Sequence, residues 1–488
     1  MGERSKKTTL PTTNTLESAK SRVFIRHFWG VYATYGIAGV SMAGVFLNVV
    51  AFSNVIWPGE PFHAFEIGLL VSLMTWATAV AGIFIGYLAD RYSRRKIFIL
   101  TYVIMGCGRF FNGFAPYGPG LSSFAFGYYI FFWVVFGFGF GGALPVILSF
   151  SNDVVESDKR SRFFGVLEVF SQGSRIVGMV ASSWLLQVGL WREYFWLTGG
   201  ILFLSAAILM VTIHEPKRGA MQAELATVLA SPTVQYNFKL TKEIVKKTLL
   251  NRTNMAVFIE GIFTNLILSI SIYLLYPYIQ NPPYNISPVA SSTLTIFFGM
   301  PGVIFGTIVF AKLSDRLAKR NIAARANIIA VAIIGLYLTM IAIFFIPLPT
   351  LTPGEGDLVS ILITQPIILL FCGFLFLTRS MLGIYQINQQ PFIQAINLPE
   401  AQATISAWNQ FLETVGKGIG PLIAGIALEF WGASYQIAAI ITMSLGIPGP
   451  VFWLLAARWV KKDRKTIQDI LETRANELDT KSRNLKCI

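Results

Sequence analysis

Two stretches of the chain carry polar and charged side chains at helical spacing inside otherwise apolar sequence. The first stretch contains Glu168, Gln172 and Arg175, and the second contains Asn409, Glu413 and Lys417. Positions three, four, seven or eight residues apart share one face of a helix. The basic members, Arg175 and Lys417, are suited to hold an anionic group. An acid on the same faces, Glu168 or Glu413, is suited to take up a proton.

A plainer interpretation of the same residues stays open. Glu413 has a basic neighbour one turn away, Lys417, and the two could simply neutralise each other. Glu168 could pair with a neighbouring helix and serve only to hold two helices together. The first interpretation is favoured because both stretches carry a basic residue, Arg175 and Lys417. Neutralisation of Glu413 by Lys417 does not account for that match.

The sequence that must position these residues is that of a membrane protein. Of 488 residues, 54% are hydrophobic and only 13% are charged, against about 25% charged in a soluble domain. Apolar stretches long enough to cross a hydrocarbon core of about 30 Å recur along nearly the whole chain. A charge at that depth costs at least about 2.5 kcal/mol unless it faces water or a partner, so charged positions there are informative.

Twelve transmembrane helices are predicted. They cover residues 28–52, 66–88, 97–115, 124–150, 162–188, 194–213, 253–279, 289–313, 326–346, 359–386, 402–428 and 434–458. With both termini in the cytoplasm, nearly all of the 39 Lys and Arg residues fall in cytoplasmic segments, as the positive-inside rule requires. The net charge of +14 therefore reflects topology, and no nucleic-acid binding is expected.

The twelve helices divide six and six around a polar, basic connection. The predicted regions are a cytoplasmic tail (1–27), a six-helix bundle (28–213), a cytoplasmic loop (214–252), a second six-helix bundle (253–458) and a basic cytoplasmic tail (459–488). The fold class is therefore an all-α membrane protein of two six-helix pseudo-repeats. After the last span, Ile467, Ile470 and Leu471 follow at helical spacing, which fits a short helix on anionic lipid headgroups or a solvated tail.

Three further charges lie singly within spans. Glu260 and Arg379 are expected in the cytoplasmic third of the seventh and tenth helices, where a pair between them would close an inner gate or serve as a static tie. Arg109 lies in the third helix, and packing or snorkelling is the favoured interpretation there.

The same loop pattern follows the second helix of each half. The first copy contains Gly86, Asp90, Arg91, Arg94 and Arg95, and the second contains Asp315 and Arg316. This arrangement resembles the major facilitator superfamily over nearly the whole chain. The resemblance implies alternating access by two rocking bundles, with the loop motif acting as a cytoplasmic gate. Ser93 stands where the family has its second Gly, which puts the tightness of that turn in doubt.

Two shorter similarities accompany the motif. Gly178 and Gly420 are 242 residues apart (420 − 178), as are Arg175 and Lys417 (417 − 175), so both halves are expected to carry a basic residue near the midplane, where such repeats bind substrate. The run Glu215-Pro216-Lys217-Arg218-Gly219 also resembles, more weakly, the sequence after the sixth span of Spinster-like lipid transporters.

The resulting functional expectation is secondary active transport of a small organic solute, anionic or amphiphilic, with a proton or counter-substrate as coupling partner. Alternatives are a passive facilitator or channel and a lysolipid or sphingolipid transporter of Spinster type. An enzyme is not expected, and no cofactor or metal is expected. The protein is expected to be a monomer in the plasma membrane, in contact with membrane lipids.

Overall fold

The structure, a computed structural model, describes residues 28–118, 120–155, 160–215, 248, 250–398, 401–432 and 434–486. Within these ranges the regular secondary structure is helical and no strand occurs. We number the twelve principal helices α1 to α12. In the first half they are α1 (Trp29–Ala43 and Val49–Ile56), α2 (Ala64–Arg91), α3 (Arg94–Phe110), α4 (Ser122–Val154), α5 (Arg160–Gln187) and α6 (Trp191–Thr212).

The second half contains the other six. They are α7 (Arg252–Gln280), α8 (Pro288–Leu294, a π-helical turn Thr295–Gly299, and Met300–Arg320), α9 (Ala323–Phe345), α10 (Pro366–Ala395), α11 (Gln402–Glu429) and α12 (Tyr435–Ser444 and Pro448–Lys486). Two short helices, Pro353–Asp357 and Val359–Leu362, connect α9 to α10.

Ten of the described helices are long and apolar enough to cross a membrane, and α1 and α5 are the two principal helices outside that set. The first is interrupted between residues 43 and 49, where the Asn48 side chain donates to the Gly44 carbonyl (3.0 Å) and to Ser182 Oγ on α5 (3.1 Å). These bonds satisfy polar groups that a break inside a membrane would otherwise expose. The polar face predicted from Glu168 to Arg175 lowers the hydropathy of α5.

The two halves repeat one packing scheme. In the first half α1 packs on α5 and α6, α4 packs on α2 and α3, and α3 packs on α6. In the second half α7 packs on α11 and α12, α10 packs on α8 and α9, and α9 packs on α12. Each pair in one half has its counterpart in the other, which confirms the predicted pair of six-helix pseudo-repeats.

The helices α5 and α11 show how closely the halves correspond. Each has 28 residues, and both of their ends are related by the predicted offset (402 − 160 = 242 and 429 − 187 = 242). Gly178 of α5 packs closely on α1, where a Cβ would lie 2.5 Å from the Val40 carbonyl oxygen. Gly420 of α11 likewise packs closely on α7, where a Cβ would lie 2.0 Å from Ser269 Oγ.

The halves pack against each other through α2 and α11, and the hydrogen bonds between them are concentrated at one end of the bundle. We call the end that carries the α2–α3 connection and the C-terminal part of α12 the tail end, and the other the opposite end. At the opposite end, the Phe65 amide donates to Glu429 (2.7 Å), and the Gln280 side chain donates to the Leu47 carbonyl (3.0 Å). The Trp76 indole donates to the Val415 carbonyl (3.3 Å) near mid-depth.

No hydrogen bond or ion pair between described residues joins the halves closer to the tail end than this Trp76 contact. The contact between α5 and α8 lies at the same end as these hydrogen bonds. It involves the segment Pro288–Leu294, which is the opposite-end part of α8. Among the described residues, the hydrogen bonds that join the halves thus lie at the opposite end and near mid-depth, and we take the tail end as the open side of the bundle.

The C-terminal segment continues α12 as one helix to Lys486. Asp463 accepts hydrogen bonds from the Thr253 amide (3.1 Å) and hydroxyl (2.6 Å) at the start of α7, and Ile467 is buried. Ile470 and Leu471 pack against the same core. This part of the segment therefore extends a bundle helix, which corrects both the headgroup-bound and the solvated interpretation. The side chains after residue 473 lie outside the described set.

Candidate functional site

The predicted polar face on α5 is present. Gln172 Nε2 donates to Glu168 Oε1 on the same helix (2.6 Å), and both side chains are exposed. Arg175 is exposed as well, and its aliphatic part packs near Gly39 of α1, where a Cβ would lie 3.6 Å from Arg175 Cγ. Glu168 thus bonds within its own helix, and no carboxylate among the described residues forms an ion pair with the Arg175 guanidinium.

Lys417 occupies the corresponding position on α11. It is the sixteenth residue of α11, as Arg175 is of α5, which places both about 22 Å along a 28-residue helix. Its side chain is exposed, and none of the ion pairs between described residues includes it. The proposed local neutralisation by Glu413 is therefore absent from this conformation.

Glu413 bonds to two amides instead. Its Oε1 accepts from Asn409 Nδ2 on α11 (2.6 Å) and from Gln389 Nε2 on α10 (2.6 Å). The side chain lies across Gly261 of α7, where a Cβ would be 3.1 Å from Glu413 Cγ, so the glycine leaves space for the carboxylate. Gln389 was not among the predicted site residues, because its position relative to Glu413 depends on the packing of two helices.

Glu260 lies beside this group and is fully buried on α7. The Thr264 hydroxyl donates to its Oε1, while its Oε2 receives no hydrogen bond from the described residues. The Trp453 indole approaches the carboxylate but stops short of hydrogen-bond geometry. Glu413 is close enough to Glu260 for their charges to interact.

The two acids therefore form a carboxylate pair whose described hydrogen-bond donors are all neutral. Two ionised carboxylates in one buried site repel each other, and an unpaired buried charge is costly. A proton on Glu260 removes the repulsion and the charge at the fully buried position, and the ionised Glu413 keeps its two amide donors. The chemistry available to the pair is reversible binding of a single proton.

Arg379 is separate from Glu260. It lies about 20 Å from the start of α10 at Pro366, near mid-depth, whereas Glu260 lies about 12 Å from the tail-end start of α7. Arg379 lines a small cavity with Ser271, Thr378 and aliphatic side chains of α7, α9 and α10. The two side chains are therefore apart in this conformation, because α10 begins after residue 365, later than the predicted 359, which places Arg379 away from the tail end.

Arg109 is packed as predicted. Its side chain is fully buried, Nη2 donates to the Ser41 carbonyl (2.7 Å), and the guanidinium lies 3.9 Å from the centroid of the Phe136 ring. It does not snorkel, because the cation is enclosed by helices α1, α3 and α4. Contact with an aromatic face partly offsets the cost of burying this charge.

The first loop motif is held by a carboxylate that is distant in sequence, just after the end of the sixth helix. Glu215, three residues after α6, accepts from the amides of Arg94 (3.1 Å) and Arg95 (3.0 Å) and from the Ser93 hydroxyl, so it caps α3. Burial raises the pKa of Glu215, but these hydrogen bonds, led by that from Ser93, together with the Arg94 charge hold it below its ordinary value.

Ser93 itself adopts extended backbone geometry (φ −61°) and serves as the N-cap of α3. Because no positive φ is needed there, replacement of the family's Gly does not loosen the turn. The buried Arg94 donates through Nε to Ser149 of α4 (2.7 Å), and Arg95 donates to the Met210 carbonyl of α6 (2.5 Å). These contacts tie the loop to the tail ends of α4 and α6.

The other motif positions are less engaged. Arg91 lies over the ring of Tyr87 (4.3 Å), and Gly86 makes an ordinary contact with Pro145. The side chain of Asp90 lies outside the described residues. In the second copy, Arg316 is exposed, and Asp315 forms an ion pair with Arg325 at the start of α9, a partner that the motif alone did not indicate.

Comparison with known proteins places the chain among membrane transporters. The model of the Major Facilitator Superfamily matches residues 31–416. A putative niacin/nicotinamide transporter of Bacillus subtilis is 26% identical over 39% of this chain and 46% of its own length. A probable 4-methylmuconolactone transporter of Cupriavidus pinatubonensis is 23% identical over 68% of this chain and 72% of its own length.

A solved structure shares the fold. The inward-facing, unoccupied form of a bacterial homologue of the human lysosomal transporter Spinster superposes with a TM-score of 0.66, at 18% identity, over 90% of this chain and 98% of that one. The matched region spans less than half of the Bacillus relative. Because the family model covers most of the twelve-helix bundle described above, this chain belongs to the Major Facilitator Superfamily.

Proposed function

We propose that the protein is a proton-coupled secondary transporter of small organic anions that works by alternating access. The observation that carries this proposal is the pair of exposed cations, Arg175 and Lys417, at equivalent positions of α5 and α11. A charged side chain facing lipid at this depth is strongly disfavoured, so we infer that both face the water-filled cleft. There they would attract an anion from opposite halves, helped by Gln172 and Arg379.

The matched relatives are compatible with an anionic substrate. Niacin, named for the Bacillus relative, carries a carboxylate at neutral pH. A carboxylate is also the group that a guanidinium or an ammonium recognises through charge-assisted hydrogen bonds. The low identity allows no closer choice of substrate.

Proton coupling is proposed for the pair Glu260 and Glu413, with Asn409 and Gln389 holding the second acid. The proton would neutralise the pair in one conformation and leave when the surrounding helices move. Glu168 is the weaker candidate, because it is exposed and already bonded to Gln172.

The tail end is proposed to face the cytoplasm of a cell whose plasma membrane contains the protein, because the basic segments gather there. The conformation is then inward-open. The motif residues Gly86, Asp90, Arg91, Arg94, Arg95, Asp315 and Arg316 are proposed to form the cytoplasmic gate that stabilises the outward-open state. One chain holds both halves, so we propose that the monomer suffices for transport.

The test is uptake of radiolabelled aromatic and short-chain carboxylates into proteoliposomes, with and without an imposed pH gradient. Uptake that rises with the gradient and is lost in both Arg175→Gln and Lys417→Gln supports the proposal. Uptake that equilibrates without accumulation under every gradient would identify a passive facilitator. Normal affinity in both variants would show that the substrate binds elsewhere.

A lysolipid substrate of Spinster type is the second candidate, and the same assay includes it. The structure assigns Glu215, the first residue of the Spinster-like run, to capping α3, which is a structural role. The other four residues, 216–219, lie outside the described ranges. Competition by a lysolipid, but by no small carboxylate, would favour this candidate over organic anions.

A further inference from the structure

A second polar cluster lies at the opposite end, away from the cleft. His63 and Glu66 belong to the first half, and Glu429 is the last residue of α11 in the second half. One ligand atom from each of the three lies within 4.8 Å of the other two. The cluster therefore spans the closed junction between the halves.

The imidazole of His63 is held in one orientation. Its Nε2 lies 2.9 Å from Glu60 Oε2, and its ring stacks on Trp57 with centroids 4.2 Å apart. A carboxylate can only accept, so the Glu60 contact places the proton of a neutral imidazole on Nε2. The lone pair is then on Nδ1, which lies 3.6 Å from Glu66 Oε2. A carboxylate that fixes the tautomer of a histidine ligand in this way is common around bound metals.

Glu66 provides an independent observation. Its Oε2 is buried and receives no hydrogen bond from any described residue. A buried carboxylate oxygen without a donor is costly, and here it is turned toward a second acceptor, Nδ1 of His63. A proton on Nδ1 or a metal ion between the two atoms would remove their repulsion, and the separation of 3.6 Å is longer than a hydrogen bond. No Lys or Arg among the described residues forms an ion pair with Glu66.

Glu429 completes the set from the other half. Its Oε2 accepts from the Phe65 amide (2.7 Å), and Phe430 stacks edge-on against Phe65 with centroids 5.0 Å apart. These contacts hold the carboxylate over the start of α2, beside Glu66.

We infer that His63, Glu66 and Glu429 bind a divalent transition-metal ion, with Zn²⁺ the best match to one imidazole and two carboxylates. Ligands about 2.1 Å from a tetrahedral ion lie roughly 3.4 Å apart. The most distant ligand atoms, which lie within 4.8 Å of each other, therefore have to approach by up to about 1.4 Å. Side-chain rotation of the two glutamates provides this, and water fills the fourth position. Because the ligands come from both halves, the bound ion holds the opposite end closed.

Binding is tested by calorimetric titration of the purified full-length protein in detergent with Zn²⁺. One ion should bind per chain, and His63→Gln and Glu66→Gln should each weaken binding by about 10-fold or more. The matched control is His214→Gln, a histidine exposed near the tail end. Unchanged affinity in both cluster variants, or loss of affinity in the control, would overturn the site. No substrate is needed, so the result is independent of the proposed transport function.

The bridging role has its own test. Spin labels on the tail ends of α5 and α8 report the width of the cleft, and Zn²⁺ should shift their distance distribution toward the wide, tail-open form. Glu429→Gln keeps a carbonyl for the Phe65 amide but removes one ligand charge, so it should abolish this shift and weaken Zn²⁺ binding. Zn²⁺ affinity and distance response equal to those of the wild type would show that one half alone holds the ion and that the lock does not exist.

Discussion

The carboxylate pair gives the sharpest prediction, through the substitution Glu413→Gln. Glutamine has nearly the same size and retains a carbonyl that accepts from Gln389 or Asn409, so the helices should stay in place. The substitution removes one of the two acids, and with it the repulsion by which, in the proposed mechanism, Glu260 and Glu413 share a proton. Glu260 can then remain neutral throughout the cycle.

The magnitude follows from one shared proton. A pH difference of one unit is worth 1.36 kcal/mol per proton, which supports about 10-fold accumulation of substrate if one proton moves with or against each molecule. Glu413→Gln should reduce this to about equal concentrations on both sides. If each acid bound its own proton, the wild type would reach roughly 100-fold and the variant would still reach about 10-fold.

The assay is accumulation in proteoliposomes under a gradient of one pH unit, imposed in each direction. Substrate exchange without a gradient serves as the internal control, because it requires folding, binding and alternating access but no net proton movement. Glu472→Gln, an exposed acid on the C-terminal part of α12, should behave as wild type. Normal exchange together with undiminished accumulation in Glu413→Gln would refute the assignment of the proton to this pair.

Four further outcomes are expected. Arg175→Gln and Lys417→Gln should each weaken substrate binding by at least about 10-fold, or 1.4 kcal/mol, in equilibrium binding assays, and normal affinity would make these charges structural. Asp90→Asn should slow substrate exchange at unchanged expression, so an unchanged rate would remove it from the gate. A reporter at the C-terminus should be cytoplasmic and one between α9 and α10 external; the reverse result would invert the orientation. The pKa of Glu215 is lowered in the folded protein, so its cap should stabilise at neutral pH and fade as the pH falls through that value. The melting temperatures of wild type and Glu215→Gln should therefore differ at pH 7 and converge in acid, and a constant difference would contradict the cap's charge dependence.

The overall architecture was predictable because each span is long and apolar, and because the charged loops distinguish the two ends. The exceptions arise from contacts between distant residues. The break in α1 depends on Asn48 bonding to Ser182 of α5, and no local pattern around residue 48 announces it. The extension of α12 depends on Asp463 meeting Thr253 of α7.

The candidate site was predictable only in part, for the same reason. Helical spacing places Asn409, Glu413 and Lys417 on one face and makes Lys417 the nearest opposite charge to Glu413. The structure instead turns Glu413 toward Gln389, which lies on another helix and carries no charge. A neutral amide in an apolar span gives a weak signal, so the sequence alone favours the charged neighbour, Lys417, as the partner of Glu413. Glu260 is a buried charge within a span, as predicted, whereas its pairing with Arg379 stays a prediction for the state in which the inner gate is closed.

The repeat suggests why substrate and proton would use different parts of the molecule. The offset of 242 relates Arg175 to Lys417, so both halves carry a cation at one depth, and an anion between them would interact with each half alike. The same offset relates Glu413 to Ser171 (413 − 242 = 171), which is buried and cannot ionise in the physiological range. A carboxylate pair with one fully buried member thus exists in the second half alone, among the described residues. When the halves rock, a substrate shared between them keeps contact with both, whereas the proton site changes only as α7, α10 and α11 shift against one another. In the proposed mechanism, movement within the second half is therefore what links proton release to the state of the cleft.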